Sequence, residues 1–162
     1  MRYFFTSDTH FGHKNIIEYC SRPFRDLEHM HEEIIKRWNS VVHKNDIVFH
    51  LGDFVFRGKI NDFRDKLNGT IIWLKGNHDS SSQTAIREMF IKLGGKEWHL
   101  LHNPAESLCQ NVLCGHVHHL WKVQKIKDRI IVNVGVDKWN YTPVSIEQIL
   151  NVIEKTKKRS IK

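Results

Sequence analysis

Cysteine is scarce and poorly placed for structure. Cys20, Cys109 and Cys114 are odd in number and show no CxxC spacing, which excludes a disulfide framework and a thiolate zinc site. That usage points to a reducing compartment, read as cytoplasmic. Long apolar runs are missing too: none approaches the about 18 residues of a membrane span, so no membrane association is expected. Met1 to Asp8 turns polar too early for a signal peptide. Repeats, low-complexity stretches and linkers are absent, and 162 residues suffice for a sizeable core. A single domain over residues 1–162 is therefore expected, with a basic C-terminal tail from about Lys155 and no separate capping domain. Nor is there a basic stripe with interleaved aromatics of the kind that tracks single-stranded nucleic acid.

The formal charge of +7 permits an anionic partner without demanding one. Lys155, Lys157, Lys158, Arg159 and Lys162 are clustered at the C-terminus, and setting those five aside leaves about +2. Histidine is the abundant residue of interest, with twelve in the chain.

Runs rich in β-branched and aromatic residues predict strands at Tyr3 to Thr6, Ile47 to Leu51, Thr70 to Leu74, Trp98 to Leu101, Asn111 to Cys114 and Ile130 to Val134. Apolar residues three or four apart predict helices through Leu27, Met30, Ile34, Trp38 and Val41, and through Ile60, Phe63 and Leu67. A third is predicted through Ile86, Met89, Phe90 and Leu93. A fourth, through Ile146, Ile149, Leu150 and Ile153, opens on the capping-box pattern of Ser145 and Gln148. Such alternation argues an α/β domain with a largely parallel core and a second, more antiparallel sheet.

Polar side chains stand where those strands end. Asp8 and His10 follow the first, Gly52-Asp53 the second, Gly76-Asn77-His78-Asp79 the third, His102 the fourth, and His116 and His118 the fifth. Any one of these is most simply a turn or surface residue. Five in register are not, because ligands of open α/β sheets bind outside the carboxyl ends of strands, where separate loops converge. Mixed imidazole and oxygen donors suit manganese, iron, nickel or zinc better than calcium or magnesium. His29, His31, His43, His50, His99 and His119 fall outside this pattern and receive no site role.

In order and placement, DxH at 8–10, GD at 52–53, GNHD at 76–79, the lone His102 and GHxH at 115–118 resemble the calcineurin-like metallophosphoesterases, over roughly residues 3–140. The wording of 5–24 and 133–145 is similar to the small stand-alone bacterial and phage members. The resemblance implies a four-layer α/β/β/α sandwich, with two mixed sheets flanked by helices. It also implies two divalent metal ions, manganese favoured, held by Asp8, His10, Asp53 and His118 and by Asp53, Asn77, His102 and His116. Asp53 bridges in that arrangement, giving one oxygen to each ion, and a metal-bridging hydroxide attacks phosphorus. His78 is implied to serve the leaving group, with Asp79 orienting its ring. Arg57 and His13, and Asn15 near them, are candidate substrate contacts. Phe56 stands where protein serine/threonine phosphatases carry the second aspartate of GDxxDRG, which weighs against that specificity.

The expected activity is hydrolysis of phosphodiesters in small or exposed substrates, such as a nucleotide or nucleic-acid end. Phosphomonoester hydrolysis or nuclease action at the same site is the alternative. A non-catalytic protein-interaction role, as in the retromer subunit of this fold, is disfavoured by the complete ligand set and by His78.

Overall fold

A computed structural model describes residues 1–80 and 84–159. In chain order its elements are β1 (Tyr3–Thr6), α1 (Ile16–Tyr19), α2 (Leu27–Val41), β2 (Ile47–His50), α3 (Ile60–Arg64), β3 (Thr70–Trp73), β4 (Glu88–Leu93), β5 (Lys96–Leu101), β6 (Asn111–Cys114), β7 (Val123–Ile126), β8 (Arg129–Asn133), β9 (Val144–Ser145) and α4 (Ile146–Arg159). One sheet has the order β3-β2-β1-β9, with β1, β2 and β3 parallel and β9 antiparallel to β1. The other has the order β4-β5-β6-β8-β7, parallel in its middle and antiparallel at both edges. The fold is thus mixed α/β with two mixed sheets and helices, as expected.

The period of two along each strand assigns the layers. Phe4 and Val48 face one cluster with Met30, Ile34 and Trp38 of α2 and Phe63 of α3. Their neighbours Phe5 and Phe49 face the other way, against Trp98, Leu100, Leu113 and Val132 of the second sheet, and α4 adds Ile146, Ile149 and Ile153 to this cluster. The α2 stripe of Met30, Ile34 and Trp38 is fully buried, which for large apolar side chains stabilises by roughly 1.5–3 kcal/mol each. Asp26 caps this helix by accepting from the His29 amide, and Ser145 and Gln148 exchange the two capping-box hydrogen bonds ahead of α4.

The run through Ile86, Met89, Phe90 and Leu93 is not a helix: Met89, Phe90 and Leu93 lie in strand β4, and Ile86 precedes it. Gly94 and Gly95 both take positive φ, as a tight hairpin requires, and return the chain antiparallel as β5. Alternation decides its face: Met89, Ile91 and Leu93 pack on the inter-sheet cluster, while Phe90 stacks on His99. The short α1, β7 and β9 are elements that the apolar pattern did not indicate. At the C-terminus, residues 155–159 continue α4 rather than forming a tail, and 160–162, including Lys162, lie outside the described residues. All three cysteines are free, and no helix among the described residues is long and apolar enough to cross a membrane.

Candidate metal centre

The carboxyl ends of β1, β2, β3, β5 and β6 bring their polar residues to one place. Of nine non-glycine residues with positive φ among the described residues, five are Asp8, His10, Asp53, His116 and His118. Such conformations cost roughly 1–3 kcal/mol each and persist where the surroundings over-determine them. Here the surroundings are cross-loop hydrogen bonds: the Asp8 amide donates to the Gly52 carbonyl, the His10 amide to the Asp53 carbonyl, and the His116 amide to the Asp8 carboxylate. Two glycines permit this closeness. A Cβ on Gly76 would lie 2.1 Å from Asp53 Oδ1, and one on Gly115 would lie 2.0 Å from Ser7 Oγ. Gly76 is therefore required by close approach rather than by a turn of unusual φ.

Ligand-competent atoms of Asp8, His10 and His118 lie within 4.8 Å of one another, as do those of Asp8, Asp53 and His102. Asp53 Oδ2 stands 3.4 Å from His10 Nε2 and 3.3 Å from His102 Nε2. Its Oδ1 instead accepts from the His78 amide. One oxygen, not one to each side, therefore faces both halves of the cluster. Asn77 Oδ1 lies 2.9 Å from His102 Nε2 and 3.0 Å from His116 Nδ1. The His102 Nδ1 position faces the Leu51 carbonyl at 2.8 Å, which orients the ring with Nε2 toward Asp53 and Asn77.

The electrostatics call for a cation. Burial raises the Asp8 carboxyl above its ordinary value. Burial also acts on Asp53, but the hydrogen bond and charge of His102, aided by His10, outweigh it and hold that carboxylate well below the usual range. Burial opposes the charged forms of His102 and His118 as well. Asp53 and Asp8 overcome it at His102, raised to about 9, and Asp137, Cys20 and Asp8 overcome it at His118, raised to about 10. His10 goes the other way, pushed by burial to about 2, and neither of its buried ring nitrogens has a hydrogen-bond partner. An unpartnered buried polar atom costs about 1–3 kcal/mol. The carboxylates thus hold His102 and His118 protonated while His10 stays neutral and unpartnered; a divalent ion would replace those protons and take up the same imidazole and carboxylate donors, so these residues fit one.

The Gly76 to Asp79 turn splits its work. Asn77 points into the ligand cluster. His78 is exposed, with its ring centroid 5.5 Å from both His10 and Phe56. Asp79 does not orient that ring: its buried carboxylate accepts from the backbone amides of Asp53, Phe54 and Gly76 at 2.6, 3.1 and 2.9 Å. A buried carboxylate is best satisfied by several N–H donors, and the Asp53 loop supplies two of these three. Asp79 thus locks β2's loop to β3's. His13 stacks on Phe56 at 3.9 Å and tilts against His10 at 5.4 Å, and Arg57 lies over the Phe56 ring. These three and Asn15, which stands at the start of α1 without a side-chain capping bond, line a cavity of about 820 Å³ that His78 also borders.

Three residues of the surroundings escaped the sequence reading. His31 does not sit on a solvated helix face: its Nε2 accepts from the Gly12 amide, and its ring packs edge-on to Phe11 and Phe63. Arg22 and Asp137 form a buried bidentate pair at 2.9 and 3.0 Å. Arg22 also donates to the Asp8 and Thr9 carbonyls, while Asp137 Oδ2 lies 3.4 Å from His118 Nδ1. Asp137 follows β8 as other site residues follow their strands, so the same strand-end rule identifies it; Arg22 carries no such signal. Replacing Arg22 with alanine leaves Asp137 buried without its partner, and a loss of about 3–5 kcal/mol in unfolding free energy is expected. Urea unfolding of the variant measures it, and a change under about 1 kcal/mol would show the pair to be dispensable.

Comparison with known proteins gives the family of the chain. An uncharacterised protein of Methanocaldococcus jannaschii is 40% identical over 162 residues, covering 93% of this chain and 90% of that one. A crystal structure of a protein of unknown function from Aquifex aeolicus superposes with a TM-score of 0.72 at 25% identity, covering 93% of this chain and 98% of the other. Vps29 of Chaetomium thermophilum, at 9% identity and a TM-score of 0.50 over 83% of this chain and 73% of its own, shares the fold alone. The model of the calcineurin-like phosphoesterase superfamily domain matches residues 1–147, and the chain belongs to that superfamily.

Proposed function

We propose that this phosphoesterase-superfamily protein is a metal-dependent phosphodiesterase, with manganese the favoured ion, acting on a nucleotide or an exposed nucleic-acid end. The observation that carries the proposal is the clustering of Asp8, His10 and His118 and of Asp8, Asp53 and His102, joined by Asp53 Oδ2 between His10 and His102 and by Asn77 between His102 and His116, with both His10 nitrogens unpartnered. Asp8, His10, Asp53 and His118 would hold one ion, and Asp53, Asn77, His102 and His116 a second. Such ions supply a water of lowered pKa and neutralise charge on phosphoryl oxygens. His78, outside the ligand set but beside it, holds a proton for the departing oxygen. Its ring is placed by His10 and Phe56, and its amide by Asp53. A diester suits the surroundings because one cavity is lined by cluster residues and a second approaches the cluster through His13 and His78, whose rings lie 5.4 and 5.5 Å from His10. The larger is bordered by His78. The smaller, of about 130 Å³, is lined by Asn77, His102, His116 and Arg87.

Metal removal tests the reading. After loading with manganese, elemental analysis is expected to find about two ions per chain, in keeping with two-metal phosphoesterase chemistry. Chelation should abolish hydrolysis of bis(nitrophenyl) phosphate, and added manganese should restore it. Trace metal after loading, together with activity indifferent to chelator, rejects the reading.

A further inference from the structure

The larger cavity is a built space. Phe11 bridges to Val55 in parallel β fashion, and the Phe56 amide donates to the Phe11 carbonyl at 2.8 Å. A Cβ on Gly12 would lie 1.9 Å from the Arg57 carbonyl oxygen, so these two loops touch backbone to backbone. His31 pins the Gly12 amide from α2. The walls are thereby fixed before any ligand arrives, which limits the ordering cost of binding. The volume of about 820 Å³ lies within the range of small-molecule sites.

Its chemistry is selective. The stacked pair of His13 and Phe56, with Tyr19 edge-on to His13 and two-thirds exposed, gives the cavity an aromatic wall. Lys14 and Arg57 also line the cavity, both exposed, and no aspartate or glutamate does. Neither cation forms an ion pair among the described residues, so their charge is left for a ligand. Neutral apolar ligands would leave two unneutralised cations facing them, and inorganic anions would leave the aromatic faces unused. Planar rings that carry their own phosphate use both.

Resting on the phosphodiesterase reading, we infer that this cavity is the leaving-group subsite and takes a nucleotide: a base packed against the His13–Phe56 pair and a second phosphate at Lys14 and Arg57. The placement follows from His78, which borders the cavity on one side and the ligand cluster on the other. The preferred substrate is then a diester whose departing nucleoside bears a further phosphate, as at an internal or phosphorylated nucleic-acid end. Hydrolysis breaks the phosphorus–oxygen bond to that nucleotide, water supplies the hydroxyl retained on phosphorus, and the departing oxygen takes a proton.

The test compares a dinucleoside monophosphate with the same compound carrying a terminal phosphate on its departing nucleoside, using the full manganese-loaded chain. The phosphorylated compound should be cleaved with kcat/KM at least about tenfold higher, the scale of one charge-assisted hydrogen bond. Lys14→Ala combined with Arg57→Ala should bring the ratio close to one. Calorimetry on the metal-free full chain supplies the second readout. Adenosine 3′-monophosphate should bind at least about tenfold more tightly than adenosine or inorganic phosphate, and that margin should vanish in the double variant. Equal kcat/KM for the two substrates, or a nucleotide no tighter than phosphate or adenosine alone, overturns the assignment while leaving diester hydrolysis standing. Failure to cleave any diester defeats the phosphodiesterase reading instead, and the calorimetry then decides the subsite by itself.

Discussion

Asp53→Asn is expected to impair both metal sites at once. The Asp53 Oδ2 atom faces His10 at 3.4 Å and His102 at 3.3 Å, so one oxygen serves both halves of the cluster. Asparagine keeps a carbonyl oxygen for the His78 amide, the contact made by Oδ1, and the turn at Gly76 should survive. What is lost is the negative charge that holds two cations together. Changes in residues behind the metal ligands already cost about 10–100-fold in affinity or activity, so loss of the shared ligand should exceed about 100-fold for both ions and for hydrolysis. The metal-free variant should be less stable than the parent, since the carboxylate that His102 and His10 hold charged is lost and His102 is left without its partner. Titration with manganese followed by elemental analysis checks the first part, and thermal unfolding without metal checks the second. Two-site binding at near parental affinity would exclude the bridge.

The second large effect separates catalysis from metal binding. His78→Ala should retain both ions, because the backbone amide that fixes Asp53 Oδ1 remains and the ring is not among the converging ligands. Hydrolysis of an alkyl or nucleoside diester should fall by about 10²–10⁴-fold, the range for loss of a general acid. The deficit should shrink on a nitrophenyl diester, whose leaving group departs without protonation. Equal losses on both substrates reject a proton-donating role and leave electrostatic or positioning effects. Loss of one ion would place His78 in the ligand set. Asp79 gives a useful contrast: its carboxylate serves the Asp53, Phe54 and Gly76 amides, so its removal should disturb the Asp53 loop and hence metal retention, not the proton on His78.

This division of labour within four consecutive residues shows where sequence reading ends. That Gly76 to Asp79 closes a strand in polar side chains is visible in the chain; which neighbour each side chain meets is not. Adjacent side chains at a turn point in different directions, and partners such as the Asp53 loop lie more than twenty positions away. His31 is a similar case. On its own helix it belongs to the polar side, yet the loop carrying Gly12 crosses that side and supplies a donor. For β4, spacing at 86, 89, 90 and 93 fits a helix, but a two-glycine hairpin with β5 makes alternation the operative period.

The sequence by itself determined the alternation of strands and helices, the β1, β2, β3, β5, β6 and β8 cores, the capped start of α4, and the polar strand ends from Asp8 to His118. Each depends on local periodicity or on short-range hydrogen bonding, which neighbouring residues specify. Only the tertiary structure decided that Asp53 presents one oxygen to two imidazoles, that Asp79 pins a loop, that Arg22 and Asp137 back His118, and that His13, Lys14, Phe56 and Arg57 wall one cavity beside His78. The physical reason is that these contacts join loops far apart in the chain. Their geometry is set by how two sheets pack and how closely glycines let backbones approach, and neither is encoded within a single segment.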